Sequence, residues 1–332
     1  MADYVVSTWG DFLRYNTGGN TIKFANPHEV NGEIILAGNG SQGNPYIVST
    51  YEEMLFATKA TYIWKVKLID REENLYRYRY ISDYDEQRNP IYSEIFCKYD
   101  DSLSTIDFND IQPEGFASRL AFSATSIDFN GWTLLNLYIK YDMLFTSNLE
   151  NAYRNGRFLN LVYDGGRVGI SAGFNAVKYC IFDITTKNTS SQNRYLFTNV
   201  PSYSNITIHA HDNVYCSLAS STSSVYNTVI NLDVSCYWRF GDPSFDTCLI
   251  IGDCETRETI NLPLSFSARY TIYNFNSTYT WARPQSVREV CCLNSTKAPN
   301  VTSGVDNFKL VTDEVMRSAQ DLADLGLPIG VD

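Results

Sequence analysis

The sequence has no surplus of positive charge. It contains 26 Lys and Arg against 37 Asp and Glu, which gives a formal net charge of −11 and a pI near 4.8. Proteins that follow a phosphate backbone or an anionic membrane need a basic surface. We therefore expect neither a nucleic-acid partner nor attachment to a membrane.

The sequence also lacks the segments that direct a chain to or across a bilayer. No apolar run approaches the roughly 20 residues of a membrane-spanning helix. The amino-terminal stretch MADYVVSTWGDF has no basic region followed by an apolar one, so we expect no secretory signal.

Motifs for cofactors and metals are missing as well. There is no glycine-rich phosphate loop opening a helix and no H-E-x-x-H. His209 and His211, with Asp212 beside them, could begin a metal site, but no third ligand has suitable spacing. We expect no cofactor and no metal, and interpret the histidines as surface residues of one strand.

The eight cysteines form no C-x-x-C pair. Most of them lie in strand-like runs, where a free thiol serves as a small apolar residue. We interpret them as reduced and structural.

Residues that favour strands are abundant, and short helix starts interrupt them near both ends. Tyr and Phe number 24 and 18. Thr8 precedes Asp11 by three positions and Thr50 precedes Glu53 by three, the spacing of a capping box. Thr312 precedes a third helical pattern, which suggests helices that bracket a β-rich middle.

That middle contains a repeat. STIDFND (104–110) returns as TSIDFNG (125–131), a unit of about 21 residues that is typical of a solenoid. We predict that Ile106 and Ile127 are vertical neighbours in successive coils. A propeller blade would need about 40 residues, and a sandwich gives no reason for this period.

The sequence therefore predicts an all-β fold, a right-handed parallel β-helix with short capping helices at both ends. Recurring Asn residues next to Leu or Ile are predicted to stack at equivalent bends: Asn136, Asn160, Asn231 and Asn261. The predicted domains are an amino-terminal cap with two helices (1–60), coils with an insertion around 70–100 (61–302), and a carboxy-terminal helix and tail (303–332).

Several stretches resemble pectate-lyase-like β-helix proteins of bacteriophage virions, a group of tail appendages, tailspikes and head fibres or capsid decorations. The stretches are GNPYIVSTYEEMLFA, STIDFNDIQPEGF, SIDFNGWTLLNLYI and SAQDLADLGLPIGVD. The resemblance implies a location in the virion, assembled in the host cytoplasm, and a homo-oligomer such as a trimer. It implies no catalytic residues, because the shared motifs are structural.

Two kinds of residue are candidates for function. Outward acids could form a catalytic pair on a glycan, but their place in repeated units favours a structural part in the bends; they are Asp107, Asp110, Asp128, Asp164, Asp183, Asp233 and Asp253, with Arg167 as a basic partner. Aromatic residues beside arginine suit contact with a protein or a glycan; they are Tyr237, Trp238, Arg239, Trp281 and Arg283.

The leading hypothesis is thus a non-enzymatic structural protein of a phage virion, which adheres to the host surface or takes part in particle assembly. Its expected partners are other virion proteins, further copies of itself, and a host surface glycan or protein. The alternatives are a polysaccharide depolymerase and a bacterial surface adhesin.

Overall fold

The computed structural model describes much of the chain, most continuously before residue 211. The described residues are 2–60, 66–72, 74–87, 90–100, 105–111, 122–139, 144–147, 149–163, 176–186, 195–210, 215–219, 224–233, 237–239, 244–246, 248–252, 260–261, 267–269, 272–275, 281–282, 286–287, 291–294, 308–312, 315, 321, 324 and 325.

Four parallel sheets stack the coils of a β-solenoid. The first contains, in spatial order, β1 (Ala2–Val6), β2 (Asn20–Phe24), β10 (Ser126–Asp128), β13 (Tyr153–Arg154) and β15 (Val177–Lys178). The second contains β9 (Thr105–Asp107), β11 (Thr133–Leu135), β14 (Arg157–Tyr163), β16 (Ile181–Thr186), β18 (Asn205–Ala210), β21 (Val229–Asp233), β24 (Leu249–Gly252), β27 (Ile272–Phe275), β30 (Cys291–Asn294) and β31 (Phe308–Val311), with β12 (Tyr138–Ile139) beside β14.

The other two parallel sheets belong to the later coils. One contains β17 (Tyr195–Phe197), β19 (Tyr215–Ala219), β22 (Tyr237–Arg239), β25 (Ile260–Asn261) and β28 (Trp281–Ala282). The other contains β20 (Ser224–Tyr226), β23 (Ser244–Asp246), β26 (Ser267–Arg269) and β29 (Ser286–Val287). The prediction of a parallel β-helix is confirmed, and its right-handedness stays a prediction.

Ladders of apolar side chains fill the solenoid. In the second sheet, residues paired from strand to strand are all buried: Ile106, Leu134, Phe158, Phe182, Ile206, Ile230 and Ile250. The rings of Phe158 and Phe182 stack 4.9 Å apart at 11°. Cys180 and Cys248 are buried free thiols in the same core, as expected for small apolar residues.

Helix α1 (Trp9–Tyr15) packs against this core beside the edge strand β1. The Thr8 side chain accepts a hydrogen bond from the Asp11 amide at 3.1 Å, which caps the helix. Phe12 is fully buried and stacks on Phe24 at 5.4 Å, while Trp9 meets Phe108 edge-on at 5.3 Å. Covering an end of the core in this way is what a solenoid requires of its terminal segment.

A small mixed sheet lies against the side of the solenoid. Its strands, in spatial order, are β5 (Tyr46–Val48), β8 (Pro90–Tyr99), β7 (Leu75–Tyr84) and β6 (Val66–Glu72); only β5 and β8 run parallel. Helix α2 (Tyr51–Thr58) follows β5, and a two-stranded hairpin, β3 (Glu29–Val30) and β4 (Glu33–Ile34), precedes it. The Arg157 guanidinium lies 4.5 Å from the Tyr99 ring and joins this sheet to the solenoid.

The two copies of the repeat, at Ile106 and Ile127, do not stack on each other as predicted. The two residues are in different sheets, because Ile106 pairs with Leu134 whereas Ile127 pairs with Ile22 and Tyr153. The Ile-Asp-Phe string therefore marks strands on two sides of the solenoid, and the prediction of vertical neighbours is wrong.

The predicted Asn stack is present in part. Asn160 Nδ2 donates to Asn136 Oδ1 at 2.6 Å, and Asn136 Nδ2 donates to Asp107 Oδ1 at 2.8 Å. Asn231 is in the same sheet but bonds Asn205 instead, at 3.4 Å. Asn261 belongs to another sheet, so its place in the stack is corrected.

The boundaries of the three predicted domains stay a prediction. β1 and β2 already belong to a solenoid sheet, and the short helix α3 (Phe108–Ile111) follows β9. Near the carboxy end, the Thr312 hydroxyl accepts from the Val315 amide at 3.4 Å, and residues 315, 321 and 324 are helical. No helix in the described part of the chain has the length and apolar character to cross a bilayer.

Candidate functional site

The described aromatic and arginine candidates are on two strands of one sheet, β22 and β28, with β25 between them. Trp238 in β22 pairs with Cys216, and Arg239 pairs with Asn261 in β25. Ile260, the residue before Asn261, pairs with Trp281 in β28. Trp238 and Trp281 thus share a register position two strands apart, about 10 Å in a parallel sheet.

The function of this group stays a prediction. Tyr237 lies beside Trp238 on β22, paired with Tyr215, while Arg283 lies outside the described residues. What the sheet establishes is that two distant sequence motifs are brought into strands of one parallel sheet.

The candidate acids that the structure describes are bonded to the backbone and to neighbouring side chains, and Asp128 is buried instead of facing outward. Asp107 accepts from the Asn109 amide at 2.9 Å as well as from Asn136. Asp128 accepts from the Asn130 amide at 3.0 Å and from Arg154 Nε at 2.8 Å. These bonds are typical of acids that order a bend.

Among the candidates whose side chains the structure describes, no further catalytic pair is present. Asp183 contacts His209, whose Nε2 lies 2.9 Å from the Asp183 Oδ1. Asp110 and Asp233 are placed only by their backbone, and the other candidates lie outside the described residues: Asp164, Asp253, Arg167, His211 and Asp212. The described residues contain no group of three or more potential metal ligands.

A polar cluster of buried and half-buried residues, centred on His28, joins α2 to the solenoid. His28 Nδ1 lies 3.1 Å from Glu53 Oε2 and 2.9 Å from Ser49 Oγ, and Nε2 lies 3.3 Å from Asp100 Oδ2. Asn26 Nδ2 donates to Glu53 Oε1 at 3.0 Å. We call these five residues the His28 cluster.

The predicted capping box takes part in this cluster with one change. The Thr50 hydroxyl accepts from the Glu53 amide at 2.9 Å, as predicted. The Glu53 carboxylate, however, accepts from the Ser49 amide instead of the Thr50 amide. The carboxylate takes this position because His28 contacts its Oε2 and Asn26 donates to its Oε1.

The Ser49, His28 and Asp100 side chains have the order of a hydrolytic triad, but the packing excludes catalysis. Ser49 is fully buried. The nearest coil bend closes over it, since a Cβ placed on Gly131 would lie 2.5 Å from the Ser49 carbonyl oxygen. A substrate cannot reach this hydroxyl, and we assign the cluster to docking of α2 on the solenoid.

The His28 cluster makes stability depend on pH. The hydrogen bond to Glu53 raises the pKa of His28 above its usual value, aided by the charges of Glu53 and Asp100 and opposed by burial. A folded-state pKa above the unfolded one means that the protonated ring stabilises the fold. This contribution is complete below the unfolded pKa and is lost as the pH rises through the folded pKa.

We therefore expect the unfolding free energy of the wild type to exceed that of His28→Gln most at pH 5–6. The difference should shrink steadily towards pH 9. Chemical denaturation of both proteins at a series of pH values measures it. A difference that does not vary with pH would contradict a charged His28.

A groove lies between α2 and the solenoid. Its volume is about 570 Å³, within the usual range of ligand sites. Tyr179 and Tyr203 form the solenoid wall, with ring centroids 5.4 Å apart, and Phe56 of α2, which is 60% exposed, is on the other wall. We call this feature the tyrosine groove.

Polar groups are few in the tyrosine groove. Glu52 and Lys59 lie at opposite ends of α2 and bring one charge of each sign. Burial raises the pKa of Tyr179, and the nearby Glu52 carboxylate raises it further, so the phenol stays protonated. Beneath the wall, Lys178 pairs with Glu150 at 3.0 Å and lies 5.6 Å from the Tyr203 ring.

Sequence reasoning did not find this groove. Its walls come from segments more than a hundred positions apart, and nothing in VKYCIFDI marks Tyr179 as a residue of a groove wall. The available signal was a tyrosine recurring about one coil later, at Tyr203. Comparison of the chain with protein-family models, with curated proteins and with solved structures found no match.

Proposed function

We propose that this chain is a structural protein of a bacteriophage particle, a tail appendage or a head fibre, that works in adhesion or particle assembly without catalysis. The observation that carries the proposal is the parallel solenoid, which is the fold of the virion β-helix proteins that several stretches of the sequence resemble. The described acids support it, because they bond within the bends instead of facing a cleft in pairs.

The oligomeric part of the proposal is separate. Short solenoids of this kind expose strand surfaces along their sides, and a symmetric homo-oligomer, here a trimer, covers them. The sheet position shared by Trp238 and Trp281 is the proposed contact surface, with a glycan or another virion protein as the alternative occupant.

The location is tested in purified particles of the phage that encodes the chain. We expect mass spectrometry to find the protein after density-gradient purification, and cryo-electron microscopy to show it at the tail or on the capsid surface. Its absence from intact particles would reject a virion role.

Enzymatic activity is tested on the isolated protein. We expect no release of reducing ends from host capsule or wall glycan over a prolonged incubation. Release that is abolished by Asp128→Asn or Asp183→Asn would favour the depolymerase. Recovery from the bacterial surface without particles would favour the adhesin.

A further inference from the structure

The tyrosine groove is the place where the chain adopts its least expected backbone conformations. Ten non-glycine residues of the described chain have positive φ, and seven of them are Asn. The other three are Lys59, Tyr179 and Tyr203, with φ of 53°, 55° and 53°. All three line the groove.

The tyrosines occupy positions where neighbouring coils have asparagine. The left-handed bends just before the second-sheet strands β11, β14, β16, β18 and β21 recur about every 24 residues, at Asn130, Asn155, Tyr179, Tyr203 and Asn227. The Asn residues of this column are at least nine-tenths buried, whereas both tyrosines are half-buried. Asparagine accepts this conformation readily, while a bulky side chain is strained there.

Strain of this kind costs about 1–3 kcal/mol per residue and persists where other groups hold it in place, commonly at binding sites. The fold has a better residue for this bend and uses it in the coils on either side. Two successive tyrosines therefore point to a requirement for their rings at the groove wall.

The chemistry of the groove favours a neutral, hydroxylated ligand. Aromatic faces on both walls suit the apolar face of a sugar ring, as the amphipathic rings of Tyr do at other interfaces. Glu52 can accept from hydroxyl groups and Lys59 can donate to them. Their charges cancel, and a net charge of −11 on the chain disfavours an acidic ligand.

We infer that the tyrosine groove is a binding site for a neutral saccharide, held between Phe56 and the rings of Tyr179 and Tyr203. The biological use of this site rests on the adhesive role proposed above, because a saccharide site lets a particle protein attach to a host glycan. The binding itself is a property of the isolated chain.

The experiment measures binding of soluble maltotriose, cellotriose and triacetylchitotriose to the full-length protein by calorimetry or ligand-observed NMR. We expect saturable binding of at least one of them with a Kd of about 1 mM or tighter. Trigalacturonic acid, the charged comparison, should bind at least about tenfold more weakly. The stoichiometry should be one saccharide per chain.

Variants tie the binding to the groove. Tyr179→Asn and Tyr203→Asn place at each bend the residue found in adjacent coils, so the melting temperature should not fall, while affinity should drop about tenfold for each ring lost. Phe56→Ser tests the opposite wall at an exposed position. Tyr92→Asn, an exposed tyrosine of β8, is the matched control and should bind as the wild type does.

No binding of any neutral trisaccharide, or equal affinity in the wild type and the three groove variants, would overturn the inference. If the protein is found in particles but the purified chain binds none of the three sugars, the saccharide site is rejected and the virion role is not. Saccharide binding by a chain absent from particles would reject the virion role alone.

Discussion

Replacing Gly131 by Ala is expected to destabilise the fold by about 3 kcal/mol. Gly131 has φ of +91°, outside the range that alanine accepts readily, and its Cα faces the segment before α2. A Cβ would lie 2.5 Å from the Ser49 oxygen and 2.6 Å from the Ser49 Cβ. Neither contact can be relieved by a side-chain rotation. The backbone of one unit must move, and chemical denaturation measures the loss.

Gly19→Ala separates the two causes of this loss. Gly19 has almost the same φ, +90°, but a Cβ there would meet nothing within 4 Å. Its substitution should cost only the conformational part, about 1 kcal/mol. Equal losses for the two variants would show that contact with Ser49 contributes nothing and that α2 is not held closely against the solenoid.

Replacing Glu53 by Ala is expected to cost about 3–5 kcal/mol, because it removes one partner from a buried charged network. The Glu53 side chain is 3% exposed and faces His28. It also accepts from the Ser49 amide and from Asn26. Its removal leaves the buried Ser49 amide without an acceptor and a protonated His28 without its nearer carboxylate. The extra stability that protonated His28 gives at low pH should therefore be lost as well.

Asp11→Ala is the matched control at the other capping box. Asp11 follows Thr8 by the same spacing, but its bonds with Thr8 are exposed and it has no buried network. We expect a loss of about 1 kcal/mol or less. If Glu53→Ala and Asp11→Ala lost the same free energy in thermal or denaturant unfolding, the His28 cluster would be no more than a helix cap.

The architecture could be predicted because its signals lie within short stretches of the sequence. A repeat of about 21 residues led correctly to parallel coils, and the Thr-x-x-acid starts led correctly to the caps at Thr8 and Thr50. The pairing could not be predicted in the same way. Ile106 and Ile127 are followed by the same residues in the sequence, Asp-Phe-Asn. They nevertheless pair in different sheets, because the same string can form strands on two sides of the solenoid.

The candidate sites show the same division. A Trp beside an Arg is visible in the sequence, and this pairing suggests contact with a protein or a glycan. The tyrosine groove depends on a left-handed bend that tyrosine does not signal, since Asn and Gly are the residues that mark such bends. His28 is alone in the sequence and gains its partners, Glu53 and Asp100, only from tertiary contacts.

The route of the chain has a consequence for the order of folding. β2 ends at Phe24, and its neighbour in the first sheet, β10, begins at Ser126. Ile22 therefore pairs with Ile127, and the small mixed sheet lies between them in the sequence. Pairing at such separation must await synthesis of the intervening hundred residues, and closing so long a loop slows assembly. During translation α1 and β1–β2 emerge first but have no coil to rest on, so the earliest part of the chain should be among the last to acquire protection from hydrogen exchange.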